Sequence, residues 1–266
     1  MSEAEQFVQE DLWGYKKRLG FIESVISDCF NRSAEEVRIL DVGCGNGSQL
    51  TLPLSKRGFQ LTGVDLDERS IAKAKSLAAG ISGAQFICGE LKDLSSGESF
   101  DVVILSEVLE HLAEPEALLK AALARMNRES VMIVTVPNGF GEFEWDSWMF
   151  RGLRLQTIVD AVARGNRQVL ASTENHESGH VQFFTRRRLQ RLFKQFQLKI
   201  VREESGSFLS GPMVGHTLAR SQRFVEWNAR VTKRLPFSWA SSWYFALRRQ
   251  MSAGGEDILD SYVVQE

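Results

Sequence analysis

The strongest constraint on the fold of this chain is a regular alternation of short apolar runs with segments of helical periodicity. Five runs rich in branched residues are typical of buried strands: Val37–Val42, Gln60–Asp65, Ala84–Cys88, Phe100–Leu105 and Val131–Val136. The segments between them that have helical spacing are Ser48–Arg57, Glu68–Ala79 and Glu114–Met126. Because a helix that joins two parallel strands crosses over right-handed, the pattern predicts an open, doubly wound α/β sheet.

The rest of the chain adds core elements and two insertions. A helix is predicted from about Thr185, a strand over Leu198–Glu203 and a last alternating strand over Ile258–Gln265, which gives a seven-stranded sheet. The predicted regions are an N-terminal helical segment (1–36), a core (37–138), an insertion (139–184), a core helix and strand (185–204), a second insertion (205–255) and the last strand (256–266). Two helical patterns, Leu218–Arg234 and Trp239–Arg249, lie in the second insertion.

A glycine-rich loop follows the first predicted strand, in VRILDVGCGNGSQL at residues 37–50. Gly43, Gly45 and Gly47 permit backbone angles and a close approach that side chains forbid, so a ligand can lie against this loop. Asp65 ends the second strand, where an acidic side chain can accept hydrogen bonds from ribose hydroxyls. The glycine spacing departs from the Gly-x-Gly-x-x-Gly of dinucleotide sites. The loop and the acid together predict a nucleoside ligand and disfavour NAD.

Several motifs carry a resemblance to a known family. LDVGCGNG closely resembles the first motif of class I S-adenosylmethionine-dependent methyltransferases. FICGELKDL, SFDVVILSEVLEHL and VTVPNG are similar to later segments of the ubiquinone-biosynthesis O-methyltransferases and their relatives, and KRLGFI resembles an upstream segment of the same enzymes. The resemblance covers about residues 15–140 and implies a Rossmann-like methyltransferase fold with an antiparallel last strand.

The same resemblance implies S-adenosylmethionine as the cofactor. It places the loop against the methionine part, Asp93 at the exocyclic amine of adenine, and Arg18 at the carboxylate. A solvent-facing helix arginine is the alternative for Arg18. The full set of implied cofactor-binding residues is Arg18, Asp41, Gly43, Cys44, Gly45, Asn46, Gly47, Asp65, Leu66, Glu90, Leu91, Asp93, Ser106 and Glu107.

Two histidines are candidates for a catalytic base. Methyl transfer to an oxygen acceptor requires removal of a proton, and histidine is the natural base near neutral pH. His111 follows the fourth strand, close to the expected position of the methyl group, although a ligand to the cofactor is an alternative role. His180 resembles the His-x-x-Phe-Phe-Thr segment of many relatives, in which Thr185 is the expected N-cap of the next helix. His176 and His216 are expected at the surface.

The acidic residues and cysteines do not predict a metal site. Glu107 and Glu110 raise the possibility of a metal, which some relatives use, but no Asp/His cluster of metal-ligand spacing accompanies them. We therefore place Glu107 near the cofactor and regard Glu110 as structural, both in a helix after the fourth strand. Three cysteines without a CxxC pair indicate neither a disulfide framework nor a zinc site and are expected to be reduced packing residues.

Charge is distributed unevenly along the chain. Residues 181–250 contain 14 Lys and Arg against three acids, a balance of +11, whereas the whole chain has a net charge of −2. This asymmetry favours an anionic partner or, equally, a solvated face that pairs with the acidic remainder. The basic residues of the second insertion alternate with aromatic ones, which is typical of an interfacial helix pair or of a helical lid over the active site: Arg220, Arg223, Arg230, Lys233 and Arg234, with Phe224, Trp227, Trp239, Trp243, Tyr244 and Phe245.

These observations converge on one predicted function. The chain is expected to be a methyltransferase that O-methylates a small or lipid-linked acceptor, anionic in one version of the hypothesis. The absence of a long apolar run and of a signal-peptide pattern predicts a cytoplasmic protein, with contact to the inner face of the membrane through 205–255 left open. The alternatives are a nucleic-acid methyltransferase, disfavoured because Pro137–Asn138 lacks the loop typical of base-amine methylation, and a non-enzymatic cofactor-binding adaptor.

Overall fold

The computed structural model describes residue 11 and residues 14–139, 181–209 and 221–250. The helices in these ranges are α1 (Tyr15–Cys29), α2 (Thr51–Ser55), α3 (Glu68–Leu77), α4 (Pro115–Leu123), α5 (Arg186–Gln195) and α6 (Gln222–Val231). The strands are β1 (Arg38–Val42), β2 (Gln60–Asp65), β3 (Ala84–Cys88), β4 (Phe100–Ser106), β5 (Met126–Pro137), β6 (Leu198–Ser205) and β7 (Ser242–Arg249). Short 3-10 turns lie at Ala34–Glu36, Leu91–Asp93, Leu109–His111, Thr232–Arg234 and Phe237–Trp239.

The described strands form a seven-stranded sheet in the order β3-β2-β1-β4-β5-β7-β6. The pairs among β1 to β5 are parallel, whereas β7 is antiparallel to both of its neighbours. The predicted doubly wound, mostly parallel sheet is thereby confirmed. Strand order reverses between β1 and β4, and a ligand crevice in such a sheet opens at the carboxyl ends of the strands at that point.

Apolar side chains cover both faces of the sheet. One layer joins Leu40, Val103 and Phe245 to α4 and α5, and the other joins Ile39 and Ile104 to α1 and α2. Alternate residues of a strand point to opposite faces, so each central strand contributes to both layers. This explains why the central strands appear as nearly continuous apolar runs in the sequence.

An antiparallel strand lies where the sequence pattern predicts a helix. The prediction of a helix over Trp239–Arg249 is wrong, because Ser242–Arg249 is strand β7. Trp243 and Phe245 face one core layer while Tyr244 faces the other. A strand that is buried on both faces loses the period of two that identifies half-buried strands, and its aromatic run therefore resembled a helix. The predicted strand Ile258–Gln265 lies outside the described residues.

The connection between β6 and β7 begins and ends beside the ligand crevice. Ser205 pairs with Trp243 and Pro137 pairs with Ser242, so β6 ends and β7 starts at the edge of the sheet where β5 ends. Residues 206–241, which include α6, therefore depart from the carboxyl edge. We call this segment, in its described parts, the β6–β7 connection. The predicted division of the chain into regions otherwise stays a prediction, and residues 140–180 of the first insertion lie outside the described residues.

Polar contacts attach the β6–β7 connection to the rest of the molecule. The buried amide of Asn228 accepts a hydrogen bond from the backbone nitrogen of Leu209 (2.8 Å) and donates one to its carbonyl (2.7 Å). The ammonium of Lys17, on α1, donates to the carbonyls of Gly206 (2.9 Å) and Ala229 (3.0 Å) and to the hydroxyl of Thr232 (2.6 Å). Three donors thus meet three acceptors, which fixes α1 against the connection.

No helix in the described part of the chain is long and apolar enough to cross a bilayer.

Candidate functional site

The glycine loop lies at the carboxyl end of β1, where the strand order reverses. Gly43, Gly45 and Gly47 all have positive φ angles, of 70°, 53° and 70°. A Cβ atom on Gly43 would lie 2.6 Å from Val108, and one on Gly47 would lie 2.6 Å from Phe86. At Gly45 no heavy atom lies within 4 Å of such a Cβ. Gly43 and Gly47 therefore allow the loop to pack, while Gly45 alone faces open space.

Two residues predicted in the cofactor site lie beneath the loop. Asp41 is 3% exposed and accepts a hydrogen bond from the hydroxyl of Thr51 (2.6 Å). Burial raises the pKa of Asp41 to about 6, against the opposing effect of the Thr51 hydrogen bond. The thiol of Cys44 packs towards β2, and only a glycine at position 63 leaves it room, since a Cβ there would lie 2.8 Å from the sulfur. Burial raises the pKa of this thiol. These side chains support the loop, and the predicted contact of Asp41 and Cys44 with the cofactor stays a prediction.

Helix α2, which follows the loop, begins further along the sequence than predicted. The side chain of Asn46 accepts hydrogen bonds from the backbone nitrogen (3.1 Å) and hydroxyl (2.7 Å) of Ser48, which form a local turn. The backbone nitrogen of Leu52 donates to the carbonyl of Gly47 (2.9 Å). The helix therefore begins at Thr51, and the predicted start at Ser48 is corrected, because the Asn46 turn occupies the preceding residues.

Asp65 links β2 to the loop. One carboxylate oxygen accepts the backbone amide of Gly45 (2.7 Å) and the other accepts that of Asp67 (2.9 Å). Each oxygen retains a lone pair for a further donor. The neighbouring Leu66 is 72% exposed, an apolar surface on the rim of the crevice. The acid thus holds the loop and remains accessible to a ligand.

The loop after β3 presents polar groups on the same rim. The carboxylate of Asp93 accepts a hydrogen bond from the backbone nitrogen of Glu90 (2.7 Å), and both side chains are exposed. The side chain of Leu91 is buried in the core, so its predicted contact with the cofactor, which stays a prediction, would involve the backbone. Cys88, at the end of β3, is exposed, so the prediction that every cysteine is a packing residue is wrong at this position.

Arg18 is buried beside the loop. Its side chain belongs to α1 and is only 5% exposed, so it is not the solvent-facing arginine of the alternative prediction. The guanidinium donates to the Gln49 side chain (2.8 Å) and lies 3.6 Å from a carboxylate oxygen of Glu107. Its Nε has no hydrogen-bond partner among the described residues. A buried cation that lacks a full set of acceptors is suited to bind an anionic group.

The end of β4 extends this polar cluster. Glu107 has a φ of 54°, a conformation that non-glycine residues rarely adopt. Its carboxylate accepts a hydrogen bond from the hydroxyl of Thr135 (2.8 Å), which lies 2.9 Å from the hydroxyl of Ser106. Gln49 and Thr135 were missed by sequence reasoning. A threonine inside an apolar strand run, near its carboxyl end, is the signal that could have identified Thr135.

His111 and Glu110 lie in a 3-10 turn after β4, and not in the predicted helix. Glu110 is 1% exposed, and a carboxylate oxygen lies 3.8 Å from Nε2 of His111. Burial, together with the charge of Glu107, raises the pKa of Glu110 well above the usual range. The backbone nitrogens of Val181 and Gln182 donate to the Glu110 carbonyl (3.0 and 3.2 Å), so this segment docks on the turn.

Other predicted features of the site lie outside the described residues or stay open. His180, His176 and His216 are outside them. No three His, Cys, Asp or Glu side chains within the described ranges are grouped as metal ligands. Thr185 is confirmed as the N-cap of α5, where its hydroxyl accepts from the backbone nitrogen of Arg188 (3.1 Å).

Comparisons with known proteins support the motif analysis. A family model described as a methyltransferase domain matches residues 15–203. The ubiquinone biosynthesis O-methyltransferase of Idiomarina loihiensis is 34% identical over 155 residues, which are 57% of this chain and 59% of that protein. The enzyme of the same name from Bradyrhizobium diazoefficiens is 30% identical over 158 residues, which are 57% and 60%. The chain therefore matches about three fifths of the length of these curated relatives.

Solved structures share the fold at low sequence identity. Magnesium protoporphyrin IX methyltransferase from Synechocystis PCC 6803, with bound SAH, has a TM-score of 0.55 at 16% identity and covers 89% of this chain and 84% of its own. The plantazolicin methyltransferase BpumL, in complex with a triazolic desmethylPZN analog and SAH, has a TM-score of 0.55 at 20% identity; the match covers 90% of this chain and 85% of that one. The [4+2]-cyclase SpnF has a TM-score of 0.56 at 14% identity and covers 92% and 89%. The fold alone therefore does not determine the reaction.

Proposed function

The chain belongs to the methyltransferase-domain family, and we propose that it transfers a methyl group from S-adenosylmethionine to an oxygen atom of a small, anionic and partly apolar acceptor. The observation that carries this proposal is the open space at Gly45, whose backbone amide donates to the accessible carboxylate of Asp65; the buried guanidinium of Arg18, bonded to Gln49 of the same loop segment, supports it. The names of the curated relatives, which specify O-methyltransferases, support an oxygen acceptor.

The described residues fit S-adenosylmethionine. Arg18, with its unpartnered Nε, suits the carboxylate of the methionine part. The backbone of Gly43–Gly47 would accommodate the chain that follows, because Gly45 leaves the space that a side chain would fill. Asp65 can accept the ribose hydroxyls, and Leu66, Glu90 and Asp93 are placed on the rim for the adenine. Ser106 and Glu107, at the end of β4, complete the polar cluster that contains Arg18.

The protein contributes mainly position and proton transfer to the proposed reaction. The bound cofactor supplies a methyl group on a sulfonium, which an in-line displacement delivers. Residues of the chain orient the two reactants and exclude water from them, which lowers the barrier by several kcal/mol. The imidazole of His111 accepts the proton of the acceptor hydroxyl, and the buried carboxyl group of Glu110 faces the imidazolium that forms. His180 is the second candidate base, proposed on sequence grounds.

The place of the β6–β7 connection supports an anionic acceptor. It departs from the edge of the sheet that carries the glycine loop, where additions cover the crevice of α/β folds. Its described part contains four basic and five aromatic residues, which would neutralise an acidic group and bury an apolar one. A lipid-linked acid is one acceptor of this kind.

A pair of glycine variants tests the cofactor site. Gly45 and Gly80 both have positive φ angles (53° and 82°), and a Cβ on either meets no atom within 4 Å, so Val imposes similar backbone strain at both. We expect Gly45→Val to abolish S-adenosylmethionine binding in calorimetry and Gly80→Val to leave it nearly unchanged. Retained affinity in folded Gly45→Val would place the cofactor elsewhere.

A transfer assay separates an enzyme from a cofactor-binding adaptor. Radiolabelled methyl groups are followed from the cofactor to phenols that carry a carboxylate or phosphate and to their neutral counterparts. We expect label on oxygen, with the anionic acceptors preferred. Cofactor binding without transfer to any phenol would favour the adaptor, and label on nitrogen or nucleic acid would reject the proposed acceptor class.

A further inference from the structure

Helix α6 has one buried and one exposed face. Val225, Asn228 and Ala229 are buried against the molecule. Residues three and four apart on a helix lie on the same side, which places Arg223, Trp227 and Arg230 together on the exposed side. Lys233 and Arg234 follow in the adjoining 3-10 turn and are also exposed. We call these five residues the basic face.

The cations of the basic face, like Arg187, Arg191 and Lys194 on α5, form no ion pair with an acid of the described residues, whereas two other cations of 181–250 do. Arg186 forms an ion pair with Glu203, and Arg202 pairs with Asp28 (2.9 Å). No carboxylate of the described residues forms an ion pair with Arg223, Arg230, Lys233 or Arg234. The hypothesis that basic residues pair with the acidic remainder of the chain therefore holds for Arg202, whose partner Asp28 lies outside 181–250, and does not explain the basic face.

Exposed aromatic side chains accompany these charges. Trp227 is 46% exposed and Trp239, which follows the basic face along the chain, is 56% exposed. Each contacts a second aromatic ring, Phe224 at 5.6 Å and Phe208 at 6.5 Å between centroids. Tryptophan combines an apolar ring with a polar N–H and is suited to the boundary between water and lipid headgroups.

We propose that the basic face of α6, with Trp239, binds the surface of an anionic lipid bilayer. The four cations form no ion pair among the described residues and outnumber Glu226, the acid exposed on the same side of α6, so they complement the negative potential of such a surface. The two tryptophans can enter its headgroup region. The buried side of α6 is fixed through Asn228 and Lys17, so that the helix docks as a rigid element. This inference goes beyond methyl transfer, and its test does not require activity.

Binding to lipid also gives the crevice an orientation. The β6–β7 connection starts and ends at the carboxyl edge of the sheet, and α1 joins it to Arg18 through the adjacent Lys17. A bilayer against α6 would therefore lie near the same edge of the sheet as the glycine loop. An acceptor held in the membrane would have a short path to the crevice.

Co-sedimentation with vesicles tests the inference on the full chain. We expect binding to vesicles of phosphatidylcholine with phosphatidylglycerol, weak binding to phosphatidylcholine alone, and loss of binding as salt is raised. A basic side chain near an anionic surface contributes about fivefold in affinity, so Arg223→Gln/Arg230→Gln/Arg234→Gln should lose roughly a hundredfold. Trp227→Ala/Trp239→Ala should weaken binding at all salt concentrations.

A charge-matched variant on another helix provides the control. Arg187, Arg191 and Lys194 form an exposed stripe of three cations on α5. The variant Arg187→Gln/Arg191→Gln/Lys194→Gln should keep its vesicle affinity. Equal losses in both triple variants, or equal binding to neutral vesicles, would overturn the proposal. Binding of single-stranded RNA through the α6 face without vesicle binding would also overturn it and identify a nucleic-acid surface.

Discussion

The glycine loop and the β6–β7 connection are held in place by different kinds of contact. The loop itself is held by side chains of the strands on which it lies and of the helix that follows it, as in the Asp65–Gly45 and Asp41–Thr51 hydrogen bonds. The connection depends on partners far away in sequence, since Lys17 reaches residues 189 to 215 positions further along the chain. The first region is a preformed site, and the second is a separate element attached at a few polar points.

This difference suggests a division of tasks. A cofactor site benefits from a loop that already has its binding conformation, because little free energy is then lost in ordering it when the cofactor binds. Acceptors vary more between relatives, and an attached segment can vary without disturbing the sheet. If the division holds, changes near the loop should alter cofactor affinity or chemistry, and changes to the attachment points should alter the connection alone.

The largest expected effect is on catalysis, at the turn that follows β4. His111→Gln should lower the single-turnover rate by roughly 10²-fold or more while the affinity for S-adenosylmethionine stays nearly constant, because a base acts in the transition state. Rapid-quench kinetics and calorimetry measure the two quantities. Equal losses in both would make His111 a cofactor ligand. If a chelator abolished wild-type activity, the metal hypothesis for Glu107 and Glu110 would return.

The next largest effect, on stability, is expected at Lys17, which attaches α1 to the β6–β7 connection. Lys17→Met removes three hydrogen bonds from a largely buried ammonium and should lower the free energy of unfolding by about 2–3 kcal/mol. The neighbouring Lys16 is exposed, and Lys16→Met is the matched control. Urea unfolding measures stability, and hydrogen exchange should show increased opening of α6. If α6 kept its protection, Lys17 would not be the attachment point.

Asp41 predicts a pH effect beneath the loop. Its pKa of about 6 in the folded protein lies above the usual value near 4, so folding favours the protonated form. Its contribution to stability is therefore complete below about pH 4 and is lost as the pH rises through about 6, a change of roughly 2–3 kcal/mol. Asp41→Asn keeps an acceptor for Thr51 and should remove this dependence. If the free energy of unfolding depended on pH in the same way in the wild-type protein and in Asp41→Asn, this prediction would be contradicted.

Sequence patterns predicted the core because its signals are local. The bounds of β2 and β3 follow directly from apolar runs between turns, and the glycine loop from its spacing. Strand β7 was missed because burial on both faces removed its period. The environment of Arg18 could not be predicted, since its partners Gln49 and Glu107 are brought to it only by the packing of α1 on the sheet.

The smallest expected effect compares helix caps in the two regions. Asp67 caps α3, beside the loop, by accepting two backbone amides (both 3.2 Å) and the hydroxyl of Ser70, which lowers its pKa. Ser221 caps α6 with one longer hydrogen bond, from the backbone nitrogen of Phe224 (3.4 Å).

Ser221→Ala should therefore cost only about 0.5–1 kcal/mol, at the low end for an N-cap. Asp67→Ala should cost more, because it also removes a negative charge from the positive end of a helix. Thermal unfolding of the two variants gives the order, and amide exchange shows where each helix opens. A larger loss at Ser221 would mean that α6 depends on its own cap more than on Asn228 and Lys17, and the connection would then be an independent folding element, not an attached one.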